Sequence, residues 1–512
     1  MKHLIYLLLG VGLFVSCFDD KGNYDYTDIN EVTISGFSEN TYSVISFIDT
    51  LRIEPEVKGT LSSKDESFEF TWKVIPENLD FSNVEEGEDF IVSQENNLNL
   101  PIALNAGKYI CFYLVKDKAS GVTYKHKFEL QTRTTTSEGW LVLGDNGNND
   151  ARMDVVMYAS EQDVIVARNI WANDNYEPGK PSKLQFSYHT YVNGTQTLMV
   201  TDKGTYKLDV LDLHAGDDNN FRWDFGISPD NVQIKASGFT HYTQPVYRAV
   251  IDDLGDLYVA SFANYGSIYE YPCNQFNGEP IKMAPFLGIH YVYQWPYTFA
   301  PFLMYDATNQ QFLAFRKDAA YPSEPDFAGE KLFEAKTGKD FVHGESGKGG
   351  LTWAILKDPN GSRYYYYVFK FLQDEMFEQV YHGEIVGTGL DQATMFACSN
   401  HFPYVFYVSN NKIYQFNVNT PETPAKEVLS FPGEEIKVIK FNPFVAWESY
   451  ADWERAREFQ LVVGTTVNGK EQDMGIMRLY DVPGLMEPLQ LKHQIENLGN
   501  IVDITYKERA SQ

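Results

Sequence analysis

Short β-meanders that recur about every 40 to 60 residues constrain this chain more than any other feature. The clearest covers residues 249–271, AVIDDLGDLYVASFANYGSIYEY. Ala249-Val250-Ile251 and Leu257-Tyr258-Val259-Ala260 are apolar, and Ser267-Ile268-Tyr269-Glu270-Tyr271 alternates, so three short strands are expected. Asp252-Asp253-Leu254-Gly255-Asp256 and Asn264-Tyr265-Gly266 separate them, with residues that tolerate positive φ and bond the local backbone. A meander this short cannot bury both of its faces alone. It must stack on copies of itself.

The copies begin at Gly139. Gly139-Trp140-Leu141-Val142-Leu143 leads to 153–158, and 197–201 leads to 205–209. After the unit at 249–271, residues 301–306 pair with 311–315, and 351–356 turn into 364–371. Residues 394–398, 404–408 and 412–416 form the sixth unit, and 436–441, 459–464 and 475–480 the seventh. Their number and spacing fit a β-propeller over 138–512, seven-bladed by this count. Segment 159–196 resists parsing, which leaves six and eight blades open. A second pair of sandwich sheets is the alternative, and recurrence of one strand order argues against it. Residues 501–507, Ile-Val-Asp-Ile-Thr-Tyr-Lys, read as a first blade strand with nothing after it, and pairing them with the 139–158 unit would close the ring.

Residues 29–134 read as strands of another kind. Phe68-Glu69-Phe70-Thr71-Trp72-Lys73-Val74 and Tyr109-Ile110-Cys111-Phe112-Tyr113-Leu114-Val115 are two of about seven alternating runs. That plan is an immunoglobulin-like sandwich with Trp72 as its core aromatic and no cysteine pair across the sheets. The fold class expected of the whole is therefore all-β. Aromatic residues at 15% favour strands in the same way.

The first 16 residues read as a signal peptide: basic Met1-Lys2-His3, then an apolar run from Leu4 to Val15, too short for a permanent span. Its end at Cys17 resembles a bacterial lipoprotein signal, which implies cleavage before Cys17 and acylation there. An ordinary signal peptide with a chance cysteine is the alternative. Residues 17–28 then form a tether, and Phe18-Asp19-Asp20 resembles the surface-export signal of Bacteroidota lipoproteins. Gly107-Lys108-Tyr109 leading to Val115-Lys116-Asp117 resembles the late strands of PKD domains, and the run from Asp19 to Tyr26, followed by Ile29-Asn30-Glu31-Val32, is similar to the PKD-like lipoprotein family of Bacteroidota. The PKD Trp-Asp-Phe-Gly-Asp-Gly signature is absent from that region. The resemblance implies a spacer domain on an outer-membrane, cell-surface lipoprotein, accessory to a nutrient-uptake transporter of the TonB-dependent type.

Lys+Arg number 42 and Asp+Glu 70, a net charge of −28, so no nucleic-acid partner is expected. Cys111, Cys273 and Cys398 show neither disulfide nor zinc spacing and read as small buried apolar residues. No cofactor and no metal site is expected. The oxygen-rich stretch 145–150 is the alternative, a Ca²⁺ site, but it lacks the EF-hand glycine and distal Glu.

Candidate ligand-binding residues are the aromatics and histidines of three segments taken as loops before inner strands: His241 and Tyr242; Tyr293, Trp295 and Tyr297; and His343. The competing reading packs these rings between blades. Residues 443–457 suggest an amphipathic helix whose Trp447, Tyr450 and Trp453 would dock a partner protein or pack on the propeller's own side. No Gly-x-Ser-x-Gly elbow, His-Glu-x-x-His or complete phosphate loop is present. The expected function is non-catalytic binding of a glycan, peptide or partner protein. The alternatives are a propeller glycoside hydrolase or lyase, whose carboxylates would come from separate blades, and a pure scaffold.

Overall fold

The computed structural model describes residues 28–79, 90–172, 177–189, 194–227, 229–240, 246–261, 268–291, 301–347, 349–444, 451–468 and 473–509. The chain divides into two compact units, with the change between Thr132 and Arg133.

In the first unit Thr41–Ile45, Thr123–Arg133, Gly107–Asp117, Phe68–Pro76 and Ile91–Ser93 form a five-stranded sheet. Two strand pairs accompany it, Val32–Ser35 with Glu56–Gly59 and Thr50–Ile53 with Leu98–Pro101. Alternation decides which residues enter the core: Tyr109, Cys111, Tyr113 and Val115 are buried on one strand. Trp72 is 1% exposed, its ring 4.2 Å from that of Tyr113, and its indole N–H donates to the Glu95 carbonyl at 2.8 Å. A buried Trp at this position supplies apolar area and leaves no donor unpaired.

In the second unit the described strands form seven larger sheets in chain order. Sheet 1 joins Asn500–Lys507, Gly139–Asp145, Ala151–Tyr158 and Val164–Ala167. Sheet 2 holds Pro181–His189, Gly194–Thr201 and Gly204–Leu208, and sheet 3 holds Ile234–Phe239, Tyr247–Asp252 and Leu257–Ser261. Sheet 4 is the hairpin Phe302–Asp306 with Gln311–Phe315, bridged to Met283 and Gly288 by an inner segment. Sheet 5 holds Asp340–Ser346, Leu351–Lys357, Tyr364–Phe371 and Met376–Ile385, with Asp326–Ala328 added in parallel. Sheet 6 runs from Ala393–Cys398 to Lys426–Ser430, and sheet 7 from Glu434–Lys440 to Gln490–Leu498.

Alternate residues of one strand enter different cores. Trp140 and Val142 pack with Val462 and Leu479 of sheet 7, whereas Leu141 and Leu143 pack with Leu184 and Met199 of sheet 2. The same sharing continues around the unit: Leu198 meets Ile234 and Val250, and Leu257 meets Phe302. Leu303 meets Phe369, Val368 meets Phe396, and Phe406 meets Leu461. Each sheet is thus buried on both faces by its neighbours, and the seventh packs on the first. That cyclic order is a β-propeller. Asn500–Lys507 lies antiparallel to Gly139–Asp145, from Gly139 opposite Lys507 to Asp145 opposite Asn500, with a bulge after Leu143.

The unit at 249–271 is corrected in one respect. Its sheet is completed by Ile234–Phe239 on the inner side, and the described residues 268–271 of the expected third strand are not members of it; among them Tyr269 makes a parallel bridge to Phe225. The inner strands of sheets 2, 3 and 5 were hidden because polar residues interrupt them: Lys183 and Gln185, Lys235 and Ser237, His343 and Glu345. Glycine marks the same strands where sheets converge. A Cβ on Gly344 would lie 2.4 Å from Phe286, and one on Gly238 would lie 2.2 Å from Ile289.

Buried lysines give the ring a distinctive pH response. Lys507 donates to the carbonyls of Thr136, Ser137 and Val210 at 2.8, 2.9 and 2.9 Å. Burial holds its ammonium down at about 8, with Glu138 and Asp209 opposing, and burial likewise holds Lys183 at about 8, with Asp503 opposing. Unfolded lysines stay protonated up to their ordinary 10.5. Between about pH 8 and 10 the unfolded chain therefore binds more protons than the folded one, and stability rises with pH, by up to about 1.4 kcal/mol per pH unit for each lysine. Above the ordinary tyrosine value of 10.0 the sign reverses, because buried Tyr109 and Tyr366 resist ionising in the fold. Urea unfolding from pH 7 to 10 should show this rise, and Lys183→Met should flatten it; a fall across the window would mean that Lys183 is hydrated.

Candidate functional site

The site follows from the edge that a propeller leaves open. An inner strand is hydrogen-bonded on one side only, so its other edge offers bare N–H and C=O groups to the central channel. Here the neighbouring sheets' side chains cover part of that edge. The Asp503 carboxylate of sheet 1 accepts the Leu184 N–H of sheet 2 at 2.9 Å. Lys183 Nζ and Gln185 Nε2 of sheet 2 donate to the Lys235 carbonyl of sheet 3, the latter at 3.2 Å, and Ser237 Oγ donates to Gln185 Oε1 at 2.6 Å. Lys440 of sheet 7 pairs with Asp503 at 2.6 Å. The charge of Asp503 supports the Lys183 ammonium, and the positive charges of Lys440 and Lys235 oppose it. In a chain of net charge −28 this is a local excess of positive charge.

A second group lies where sheets 5 and 6 meet. His343 and Glu345 stand two apart on one strand and so share a face. Their Nε2 and Oε1 are 3.4 Å apart, with side chains 29% and 20% exposed. Glu345 Oε1 accepts the backbone N–H of Cys398, the last residue of the inner strand of sheet 6. The Cys398 thiol is 1% exposed, and burial, with the Glu345 carboxylate beside it, pushes it well above the ordinary thiol range. His343 Nε2 is buried with no hydrogen-bond partner.

Both groups lie on inner strands, and each inner strand hands over to its sheet's second strand. Because the same strand order repeats around a ring, these connections share one end of the channel. In sheet 5 the connection is tied to its neighbours: Ile289 N–H donates to Ser346 Oγ at 2.9 Å, and Gly349 N–H to the Asn400 carbonyl at 3.2 Å. Asn400 in turn donates to the Glu458 carbonyl at 2.9 Å, and the rings of His401 and Phe459 are 5.0 Å apart. At this mouth the Tyr291 hydroxyl is pushed above its ordinary range, first by burial and then by the charge of Glu508.

The sequence-derived candidates fall unevenly. His343 is on the inner strand Asp340–Ser346, not in a loop before it. His241 and Tyr242 belong to the connection from Ile234–Phe239 to Tyr247–Asp252, and Tyr293, Trp295 and Tyr297 to the one ending at Phe302–Asp306. These five residues, like Cys17, Trp447 and Tyr450, lie outside the described residues. Trp453 is described, on the single helical turn Asp452–Arg455. It packs against the core shared by sheets 7 and 1, with the Arg457 guanidinium 4.7 Å from its ring and 4.1 Å from that of Tyr158. Arg457 also donates to the Tyr506 hydroxyl at 2.8 Å. The oxygens of stretch 145–150 serve its own turn: Asp145 accepts Gly147 N–H and Asn146 accepts Asn148 N–H.

Sequence reasoning missed Glu345, Cys398, Lys183, Lys440 and Asp503 as site residues. Glu345 was accessible from the period-2 rule once His343 was placed on a strand. Cys398 was not, since 53 residues separate it from Glu345. Among the described residues no helix is long and apolar enough to cross a membrane.

A family model described as the PKD-like family matches residues 17–181, which include the described part of the first unit and the first strands of the second. No curated protein matches the chain. Among solved structures, a quinoprotein alcohol dehydrogenase-like protein from Bacteroides thetaiotaomicron is similar at 13% identity and a TM-score of 0.39, over 93% of this chain and 98% of that one. The β-propeller domain of Cps50 (Swd1) from Myceliophthora thermophila is similar at 10% identity and a TM-score of 0.39, over 68% of this chain and 97% of that one. Synechocystis apocarotenoid oxygenase is similar at 8% identity and a TM-score of 0.36, over 90% and 97%. None of these likenesses bears on activity.

Proposed function

We propose that this protein is a lipid-anchored, cell-surface binding protein whose PKD-like unit spaces a seven-bladed propeller from the outer membrane. The propeller captures an anionic ligand at the channel, as an accessory of a nutrient-uptake transporter. The observation that carries the binding step is the lysine group. Lys440 pairs with Asp503, and the charges of Asp503, Lys440 and Lys235 all act on the Lys183 ammonium, so three lysines gather around a single carboxylate-bearing neighbour inside a strongly acidic chain. Partial burial removes water from these ammonium groups, so a carboxylate- or sulfate-bearing ligand would replace lost hydration with ion pairs. The anchor rests on Cys17 and its apolar leader, and the transporter role on the family resemblance.

Binding is favoured over hydrolysis by the state of the carboxylates. Among the described inner strands, Asp503 is paired with Lys440, Glu434 with Arg478, and Glu345 accepts a backbone N–H. The carboxylates pushed upward are Asp252, which ends the second strand of sheet 3 opposite Ile234, and Glu375, in the turn before Met376–Ile385, with burial the first cause for each. A general acid of the kind a glycosidase needs would be expected at the channel instead.

The test uses the purified protein on arrays of neutral and acidic polysaccharides and acidic peptides, following retention and product release together. Retention of acidic members is expected, falling with added salt and at least tenfold weaker in Lys183→Met and Lys440→Met. Release of shortened products would identify an enzyme, and equal retention of neutral members would remove the role of the lysines. In cells, Cys17→Ala should abolish surface labelling.

A further inference from the structure

We infer that His343, Glu345 and Cys398 form an open binding site for a single Zn²⁺-class transition-metal ion at the junction of sheets 5 and 6. One ligand atom from each side chain can be chosen so that all three lie within 4.8 Å of one another. The combination is chemically specific. An imidazole nitrogen, a carboxylate oxygen and a thiolate sulfur are borderline-to-soft donors that suit zinc and its neighbours, and a thiolate is a poor ligand for calcium or magnesium.

The backbone builds the site from two rigid strands. His343 and Glu345 are fixed on one face by strand pairing, opposite Ile355 and Trp353 respectively. Cys398 is fixed by the pairing of its strand opposite Val405. Glu345 Oε1 is held by the Cys398 N–H, which leaves the other carboxylate oxygen to act as ligand. The imidazole Nε2 is buried, makes no hydrogen bond, and lies 3.4 Å from Oε1 of this carboxylate, beside the oxygen left to act as ligand. Tetrahedral arms of about 2.0 to 2.3 Å set donors roughly 3.5 Å apart. The three groups therefore need only small side-chain rotations to close on an ion. Thiolate and carboxylate together balance a dication. With three protein donors the fourth position stays open, and His343 and Glu345 are partly exposed there. The site is separate from the lysine group and does not depend on the anionic-ligand reading.

Cobalt gives a readout that a merely structural cluster would not produce. The full-length protein in detergent is stripped with a chelator and titrated with Co²⁺ in excess Mg²⁺, which occupies the acidic surface. One Co²⁺ per chain is expected, with a thiolate-to-cobalt charge-transfer band in the near ultraviolet, displaced by stoichiometric Zn²⁺. Cys398→Ser should abolish the band. His343→Gln and Glu345→Gln, both at partly exposed positions, should weaken binding roughly tenfold or more while leaving metal-free thermal unfolding unchanged. No band at stoichiometric Co²⁺ would overturn the site. So would a band that survives in the His343→Gln/Glu345→Gln double variant, which would place the ion on Cys111 or Cys273.

Discussion

A chain ended at Gly499 should lose the cooperative unfolding of its propeller, because the missing strand is the inner strand of the first sheet. The loss removes Ile501, Ile504 and Tyr506, each at most 2% exposed, from the core shared by sheets 7 and 1. Three such side chains contribute about 1.5 to 3 kcal/mol each, or roughly 6 kcal/mol together. The ladder to Gly139–Asp145 disappears as well, leaving that strand's edge unpaired. Single domains hold only about 5 to 15 kcal/mol in all. The expected result in scanning calorimetry is a missing or strongly depressed propeller transition, with dye-binding apolar surface exposed. Tyr506→Ala should reproduce part of the effect, since its ring packs 5.0 Å from Trp140 and 4.6 Å from Phe444. A truncated chain that unfolds like the intact one would mean that the ring holds without closure.

The second large effect is expected at Asp154, which is fully buried. One of its oxygens accepts Arg152 Nε at 3.0 Å and Asn169 N–H at 2.6 Å, and the other accepts Gly499 N–H at 2.7 Å. It thereby ties the second-to-third strand region of sheet 1 to the approach of the closing strand. Asp154→Ala should destabilise by about 3 to 5 kcal/mol, since it leaves a buried guanidinium and two backbone donors without this acceptor. Asp473 also pairs with Arg152 but is half exposed, so it does not replace the lost charge inside. Asp154→Asn keeps one carbonyl oxygen and should fall between. The decisive measurement is the cycle with Arg152→Ala. If the buried charge is the cause, the double variant should be more stable than Asp154→Ala alone.

The parts of this fold that were legible in the sequence are those where one strand is buried on both sides. Gly139–Asp145, Leu351–Lys357 and Tyr404–Ser409 read as near-continuous apolar runs because neighbouring sheets cover both faces. Inner strands face the channel along one edge and carry Lys183, Lys235, His343 and Glu345, so their apolar signal breaks. Those interruptions are where the functional candidates lie. The site was therefore hidden for the same reason that it is a site. The association of His343 and Glu345 with Cys398 is a property of ring order, and no local spacing encodes it. Trp453 was legible as an amphipathic aromatic, but only the surrounding Tyr158 and Arg457 decide that it packs inward.

Closure also sets a timetable. Asp154 and Gly499, which meet at the seam, are 345 residues apart in the chain. During synthesis, six sheets can be complete before the segment that finishes the first one has been made. Until then the first sheet waits with an open edge and a half-built core, the condition most prone to mispairing. The ring therefore has a single late commitment step, and slowing the arrival of residues 500–507 should raise aggregation without altering the stability of the finished molecule.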